Sequence, residues 1–242
     1  MLTANNSNYG STYNYVYDEK NRLISFLVSY KDCSLKYTLE YSGLNEVKLD
    51  YEGDCQGIIK GYFPAIFELN KDGKPVKIKI DNAASDTKIE SELIYAGNQL
   101  KRFHTDFFVN KKFNRMTEFE IEYAGKNVSK VTKKATKTED AVVFEGLKYD
   151  EMKEYEPLDK KIISLHSKIY TNGTGFDFLS ENNPLEYIVR YGVADEPITY
   201  KFKYTYNEKG YPLSSSTNMD FKGSGLVKDY YSPPTIFEYL CK

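Results

Sequence analysis

Tyr200-Lys201-Phe202-Lys203-Tyr204-Thr205-Tyr206-Asn207-Glu208-Lys209-Gly210-Tyr211-Pro212-Leu213 is the stretch that decides how this chain folds. Its aromatics fall at 200, 202, 204 and 206, so an extended strand places all four on one face. Asn207 to Gly210 then carries turn chemistry: the asparagine side chain caps its own turn, and glycine accepts the positive φ that a hairpin requires. Pro212 and Leu213 lead into the return strand. The stretch reads as one β-hairpin.

The same hairpin recurs along the chain. Tyr13, Tyr15 and Tyr17 alternate into Asp18-Glu19-Lys20-Asn21, and Ile24, Phe26, Val28 and Tyr30 alternate outward after Leu23. Leu35, Tyr37, Leu39 and Tyr41 precede a turn at 42–45, with Val47, Leu49 and Tyr51 beyond it. The unit Asn70-Lys71-Asp72-Gly73-Lys74-Pro75-Val76 matches 207–213 position for position, with Gly73 standing where Gly210 stands. Tighter turns follow Tyr95 and Tyr123, each as Tyr-Ala-Gly. Tyr17, Tyr41, Tyr95, Tyr123 and Tyr206, with Leu69 in the equivalent place, are the hairpin anchors. Those from Tyr17 to Tyr123 recur roughly every 24 to 28 residues, the length of two strands and two turns.

The alternation lapses after Tyr149. Ile162, Ile163, Leu165, His166 and Ile169 have the spacing of a short helix starting after Asp159. Leu185, Tyr187, Val189 and Tyr191 resume the strand pattern, and 235–241 reads as a closing strand. The expected fold is all-β: a single antiparallel meander of about 10–14 strands, strongly curved or barrel-like, with at most one or two short helices near 150–168. Residues 1–10, rich in Asn and Ser, are expected to be a flexible leader, and 11–242 a single repeat-built β domain.

Composition narrows the function classes. The chain holds 242 residues, with 23 Tyr, 14 Phe and no Trp. Lys and Arg nearly balance Asp and Glu, for a net charge of −2, so the strongly basic footprint of a nucleic-acid protein is absent. No apolar window reaches the length of a membrane-spanning helix, and the first residues have no signal-peptide core. Cys33 and Cys55 sit one hairpin apart, which allows either a cross-strand disulfide or two free thiols.

No constellation of catalytic, metal-binding or cofactor-binding residues stands out, and none of these is assigned. Asn70-Lys71-Asp72-Gly73 resembles part of a calcium loop, but Asp81 stands where the loop needs glutamate, so a plain turn is expected. His104 and His166 lie far apart with no nucleophile motif, and His166 reads as a packed residue. Glu139 with Asp140, and Glu151, Glu154 and Glu156, read as solvated carboxylates. Gly173-Thr174-Gly175 lacks the rest of a phosphate-binding fingerprint. Lys126, Lys130, Lys133, Lys134 and Lys137 alternate with apolar residues and read as a solvated strand face. Tyrosine abundance is the one feature that points to binding, since an exposed tyrosine stacks on sugars or anchors a protein partner.

The stretches 15–23 and 204–213 resemble tyrosine–aspartate (YD) repeat hairpins. With 179–184 and the terminal Phe237-Glu238-Tyr239-Leu240-Cys241, the chain resembles a family of Bacteroides-type secreted lipoproteins carrying a domain of unknown function with a porin-like fold. That resemblance implies a cell-envelope location, in the periplasm or on the outer-membrane surface, with a lipid anchor on a leader that this chain lacks. The expectation is a monomeric, non-catalytic envelope scaffold that binds a glycan or protein partner. A carrier holding a hydrophobic, lipid-like ligand in a concave sheet is the alternative.

Overall fold

The computed structural model describes residues 2–6, 11–20, 22–29, 32–43, 45–53, 63–82, 86–136, 140–153, 164–166, 169, 176–190, 196–221 and 230–239. Its strands are β1 (Leu2–Asn6), β2 (Ser11–Tyr17), β3 (Leu23–Ser29), β4 (Ser34–Ser42), β5 (Glu46–Gly53), β6 (Ala65–Leu69), β7 (Pro75–Asn82) and β8 (Thr87–Ala96). They continue as β9 (Gln99–Val109), β10 (Lys112–Ala124), β11 (Asn127–Ala135), β12 (Ala141–Lys153), β13 (Asn182–Val189), β14 (Ile198–Tyr206), β15 (Pro212–Phe221) and β16 (Tyr230–Tyr239). Every strand pairs antiparallel with its sequence neighbours, and β1 pairs with both β16 and β2, so the meander closes into a barrel.

The all-β antiparallel meander expected from the sequence is therefore what forms. Among the described residues it divides into sixteen strands, where the period-two runs suggested about 10–14. One of the additional strands is β1, inside the stretch expected to be a leader, whose Leu-Thr-Ala-Asn-Asn has no alternation to read. Residues 150–153, inside the window expected to hold a helix, are the end of β12. Helical residues do occur at 164–166 and at 169, followed by a 3-10 turn at Asp177–Leu179.

Alternation sorts the wall into two faces. Phe67, Ile78, Ile80, Leu93, Phe103, Phe119 and Ile121 are buried on the inner face. Outward lie Lys79 with Glu68, Arg102 with Glu118, Lys134 with Glu120, and Lys130 with Glu122. A charge at mid-wall costs about 2–4 kcal/mol in a lipid-facing barrel, so this side of the wall suits water. Among the described residues no helix is long and apolar enough to cross a membrane.

The described residues between β12 and β13 pack against the inner face. Leu165, Ile169, Phe176 and Phe178 are buried in the same core as the strands, and His166 is fully buried as well. Phe176 rests on Phe119 of β10 with ring centroids 4.9 Å apart, and Phe119 on Phe103 of β9 at 6.1 Å. His166 donates from Nε2 to the Phe63 carbonyl at 2.9 Å, and Ser180 accepts the Val128 amide at 3.0 Å. A barrel this wide leaves interior space that wall side chains alone do not fill. Here part of that space holds the connection itself.

Candidate functional site

The repeated turns set the geometry of one barrel end. Asn70 Oδ1 accepts the amides of Asp72 and Lys74 at 2.9 and 3.0 Å, and Asn207 Oδ1 those of Lys209 and Tyr211 at 3.0 Å each. Asp18 forms the same turn with Lys20 and Arg22, and the amides of Arg22 and Lys20 together with the Arg22 guanidinium hold its carboxyl below the usual range. Gly73 and Gly210 take φ of 75° and 80°. The calcium-like fragment at 70–73 thus has its Asn70 oxygen committed to backbone donors.

Each anchor faces an apolar residue across its hairpin: Tyr17 faces Leu23, Tyr41 Val47, Leu69 Pro75, Tyr95 Leu100, Tyr123 Val128 and Tyr206 Pro212. Three tyrosines also reach the preceding hairpin. Tyr41 donates to the Leu23 carbonyl, Tyr123 to Leu100, and Tyr149 to Val128, at 3.1, 3.2 and 2.6 Å. Cations cover the rings, with Arg22 over Tyr41, Lys74 over Tyr95 and Lys101 over Tyr123. Burial raises the hydroxyl pKa of Tyr95 and Tyr123. These rings hold hairpin to hairpin. Tyr149 lies outside the anchor set because no turn motif follows it.

Tyr206 does something different. Its hydroxyl donates to Asp150 Oδ2, which also accepts from Asn183 Nδ2 at 3.2 Å. Asp150 Oδ1 takes the amides of Met152 and Asn183 at 3.0 and 3.2 Å. Asn182 is joined to Asn127 by two bonds of 3.0 Å. Burial first, and then the Asp150 carboxylate, push the Tyr206 pKa upward. Four donors converge on one carboxylate, fastening β12 and β14 at the point where the connection re-enters as β13. Nothing in residues 149–152 marks this role in the sequence.

Above this latch, β13 and β14 present an aromatic row to the interior. Tyr187 lies 5.1 Å from Phe144, 5.0 Å from Tyr200 and 5.3 Å from Phe202. The row continues from Phe202 to Tyr204 at 6.2 Å and from Tyr204 to Tyr206 at 6.0 Å, with rings inclined by 16° and 27°. Tyr200, Phe202, Tyr204 and Tyr206 are half-buried, unlike the sealed Phe103 of β9 and Phe119 of β10. In register across β15 stand Met219, Thr217, Ser215 and Pro212, an uncharged border. Rings with accessible faces beside hydroxyl groups can stack on a sugar and hydrogen-bond its rim.

The remaining sequence candidates fall elsewhere. His166 is fully buried, and burial lowers its pKa to about 4. His104 lies on the outer face, with Nδ1 3.2 Å from Glu118 and Nε2 3.1 Å from Asp106. Asp140 and Glu151 are exposed, and Lys126, Lys130 and Lys134 pair with Glu181, Glu122 and Glu120. Glu139, Glu154, Glu156, Lys137, 173–175 and Cys55 lie outside the described residues. Cys33 is disulfide-bonded. Among the described residues no group of His, Cys, Asp and Glu is placed to hold a metal ion.

No protein-family profile and no curated protein sequence matches the chain. Solved structures do. A porin-like protein from Bacteroides uniformis superposes with a TM-score of 0.62 at 15% identity, covering 94% of this chain and 89% of that one. A porin-like protein from Bacteroides vulgatus superposes with a TM-score of 0.56 at 12% identity, covering 99% and 97%. Over nearly its whole length, then, this chain shares the fold of porin-like proteins from Bacteroides.

Proposed function

We propose that the protein is a non-catalytic barrel of the cell envelope that binds an uncharged glycan along the aromatic row of β13 and β14. The observation that carries this reading is the half-buried row Tyr200, Phe202, Tyr204 and Tyr206 beside the Ser215 and Thr217 positions. By contrast, Phe103, Phe119 and Phe176 of the interior are sealed. Two observations favour the envelope: the fold likeness to Bacteroides porin-like proteins, and a disulfide at Cys33, a bond that persists in oxidising compartments. The charged outer wall favours a barrel bathed in water over one set in lipid.

A carrier of a hydrophobic ligand needs open apolar space. The phenylalanines at 67, 103, 144 and 176 are fully buried against one another's neighbours, which disfavours that alternative.

The test is a neutral oligosaccharide panel read by calorimetry and by ring resonances of the tyrosines. Binding that weakens roughly two- to twelvefold in each of Phe202→Ala and Tyr204→Ala, with stability retained, supports the proposal. Each stacked ring contributes about 0.5–1.5 kcal/mol or more. Absence of any saccharide binding, or binding indifferent to both substitutions, refutes it.

A further inference from the structure

We propose that the tip of the β9–β10 hairpin, residues 109–115, docks on an anionic lipid surface. The sequence there is Val109-Asn110-Lys111-Lys112-Phe113-Asn114-Arg115. On one side the last pairing of β10 with β11 is Thr117 with Ala135, closed by the Met116 amide on Thr136 Oγ1 at 2.8 Å. Lys112 to Arg115 therefore extend past the end of β11 by four residues, about 13 Å of strand. All four are exposed, so both faces of this ribbon meet solvent.

The tip's chemistry is that of an interfacial anchor. Phe113, 55% exposed, is the most exposed large hydrophobic residue among those described, and it meets Phe108 edge-on with centroids 6.1 Å apart. Val109 is exposed beside it. Lys111 and Lys112 flank this apolar point, Arg115 lies over the Phe107 ring at 4.5 Å, and Asp86, whose carbonyl accepts the Asn110 amide, offsets one charge. Asp81, Asp86, Lys88 and Glu90, with Phe108 and Lys111 of the hairpin, line a concavity of about 590 Å³ beside the tip, with Lys88 paired to Glu90. An aromatic tip flanked by cations suits the boundary between anionic headgroups and acyl chains.

The turn itself supports the assignment. The comparable tight turns place Gly97 and Gly125 in the left-handed region, at φ of 59° and 62°. This one places Asn110 and Lys111 there, at 52° and 61°. A lysine in that conformation is disfavoured by roughly 1–2 kcal/mol where glycine is not. The strained lysine makes no ion pair among those described, and at a lipid surface it adds charge at the point of contact.

The experiment is co-sedimentation of the whole protein with vesicles of equal phosphatidylglycerol and phosphatidylcholine, against phosphatidylcholine alone. Binding to the anionic vesicles is expected, falling as salt rises. It should weaken about fivefold for each lysine removed in Lys111→Ser and Lys112→Ser, from about 1 kcal/mol per cation. Phe113→Ser should weaken it without altering its salt dependence. All three sites are exposed, so unchanged thermal unfolding verifies the variants. No preference for anionic vesicles, equal binding by the variants, or binding of the tip only to an acidic protein would overturn the proposal.

Discussion

Phe176→Ala separates a barrel packed by its own connection from a barrel with a loop lying over its mouth. The Phe176 ring is fully buried and touches Phe119 at 4.9 Å and Phe178 at 6.2 Å. Truncating a buried phenylalanine removes transfer free energy and leaves a cavity that neighbours fill only in part, for a loss of about 3–5 kcal/mol. For a chain of 242 residues this lowers the unfolding midpoint by on the order of 10 °C. Phe113→Ala removes the same atoms from an exposed site and should change stability by no more than about 0.5 kcal/mol. The assay is urea unfolding followed by near-ultraviolet circular dichroism, which reads tyrosine and phenylalanine packing in a chain without tryptophan. Should Phe176→Ala fall within 1 kcal/mol of Phe113→Ala, the connection is not part of the core and the packing argument fails.

Asp150→Ala should destabilise by about 2–3 kcal/mol, because it strips the acceptor from Tyr206, Asn183 and two backbone amides; amide exchange at Met152 and Asn183 should quicken, and unchanged exchange would count against the latch. His166 titrates near 4 when folded and at 6.5 in the unfolded chain, so the unfolded state binds more protons between those values. Stability should fall as pH drops through that window, by up to about 1.4 kcal/mol per pH unit, and His166→Asn should flatten that dependence. Non-reducing peptide mapping should join Cys33 to Cys55 and leave Cys241 free. Leu35 faces Gly53, with Cys33 two residues before the one and Cys55 two residues after the other in the sequence, whereas β16 ends at Tyr239 on the opposite rim. A Cβ on Gly53 would lie 2.2 Å from the Ser34 carbonyl, so Gly53→Ala should disturb the same corner and slow oxidation of Cys33.

The hairpins were legible because their causes are local. Alternation at 200–206 needs only the strand's period of two, and the turns at 70–73 and 207–210 close through bonds spanning at most four residues. Even the inner and outer faces follow from that period once one face is buried. The anchors could be found as a repeat, but their bonding could not: Tyr41 reaches Leu23 and Tyr123 reaches Leu100 only after separate hairpins lie side by side. Likewise the lysines at 126, 130 and 134 read as a solvated face, but only the tertiary structure set Glu181, Glu122 and Glu120 against them.

By itself, then, the sequence determined an antiparallel meander built from repeated hairpins, because alternation and turn chemistry act over a few residues. Closure through β1, the burial of His166 and Phe176 against the wall and the four-donor seat of Asp150 were decided by tertiary structure. Each joins residues with no common period: Leu2 meets Tyr239, His166 meets Phe63 and Tyr206 meets Asp150. Contacts at such separations depend on where the barrel wall brings the chain back, and no local pattern records that.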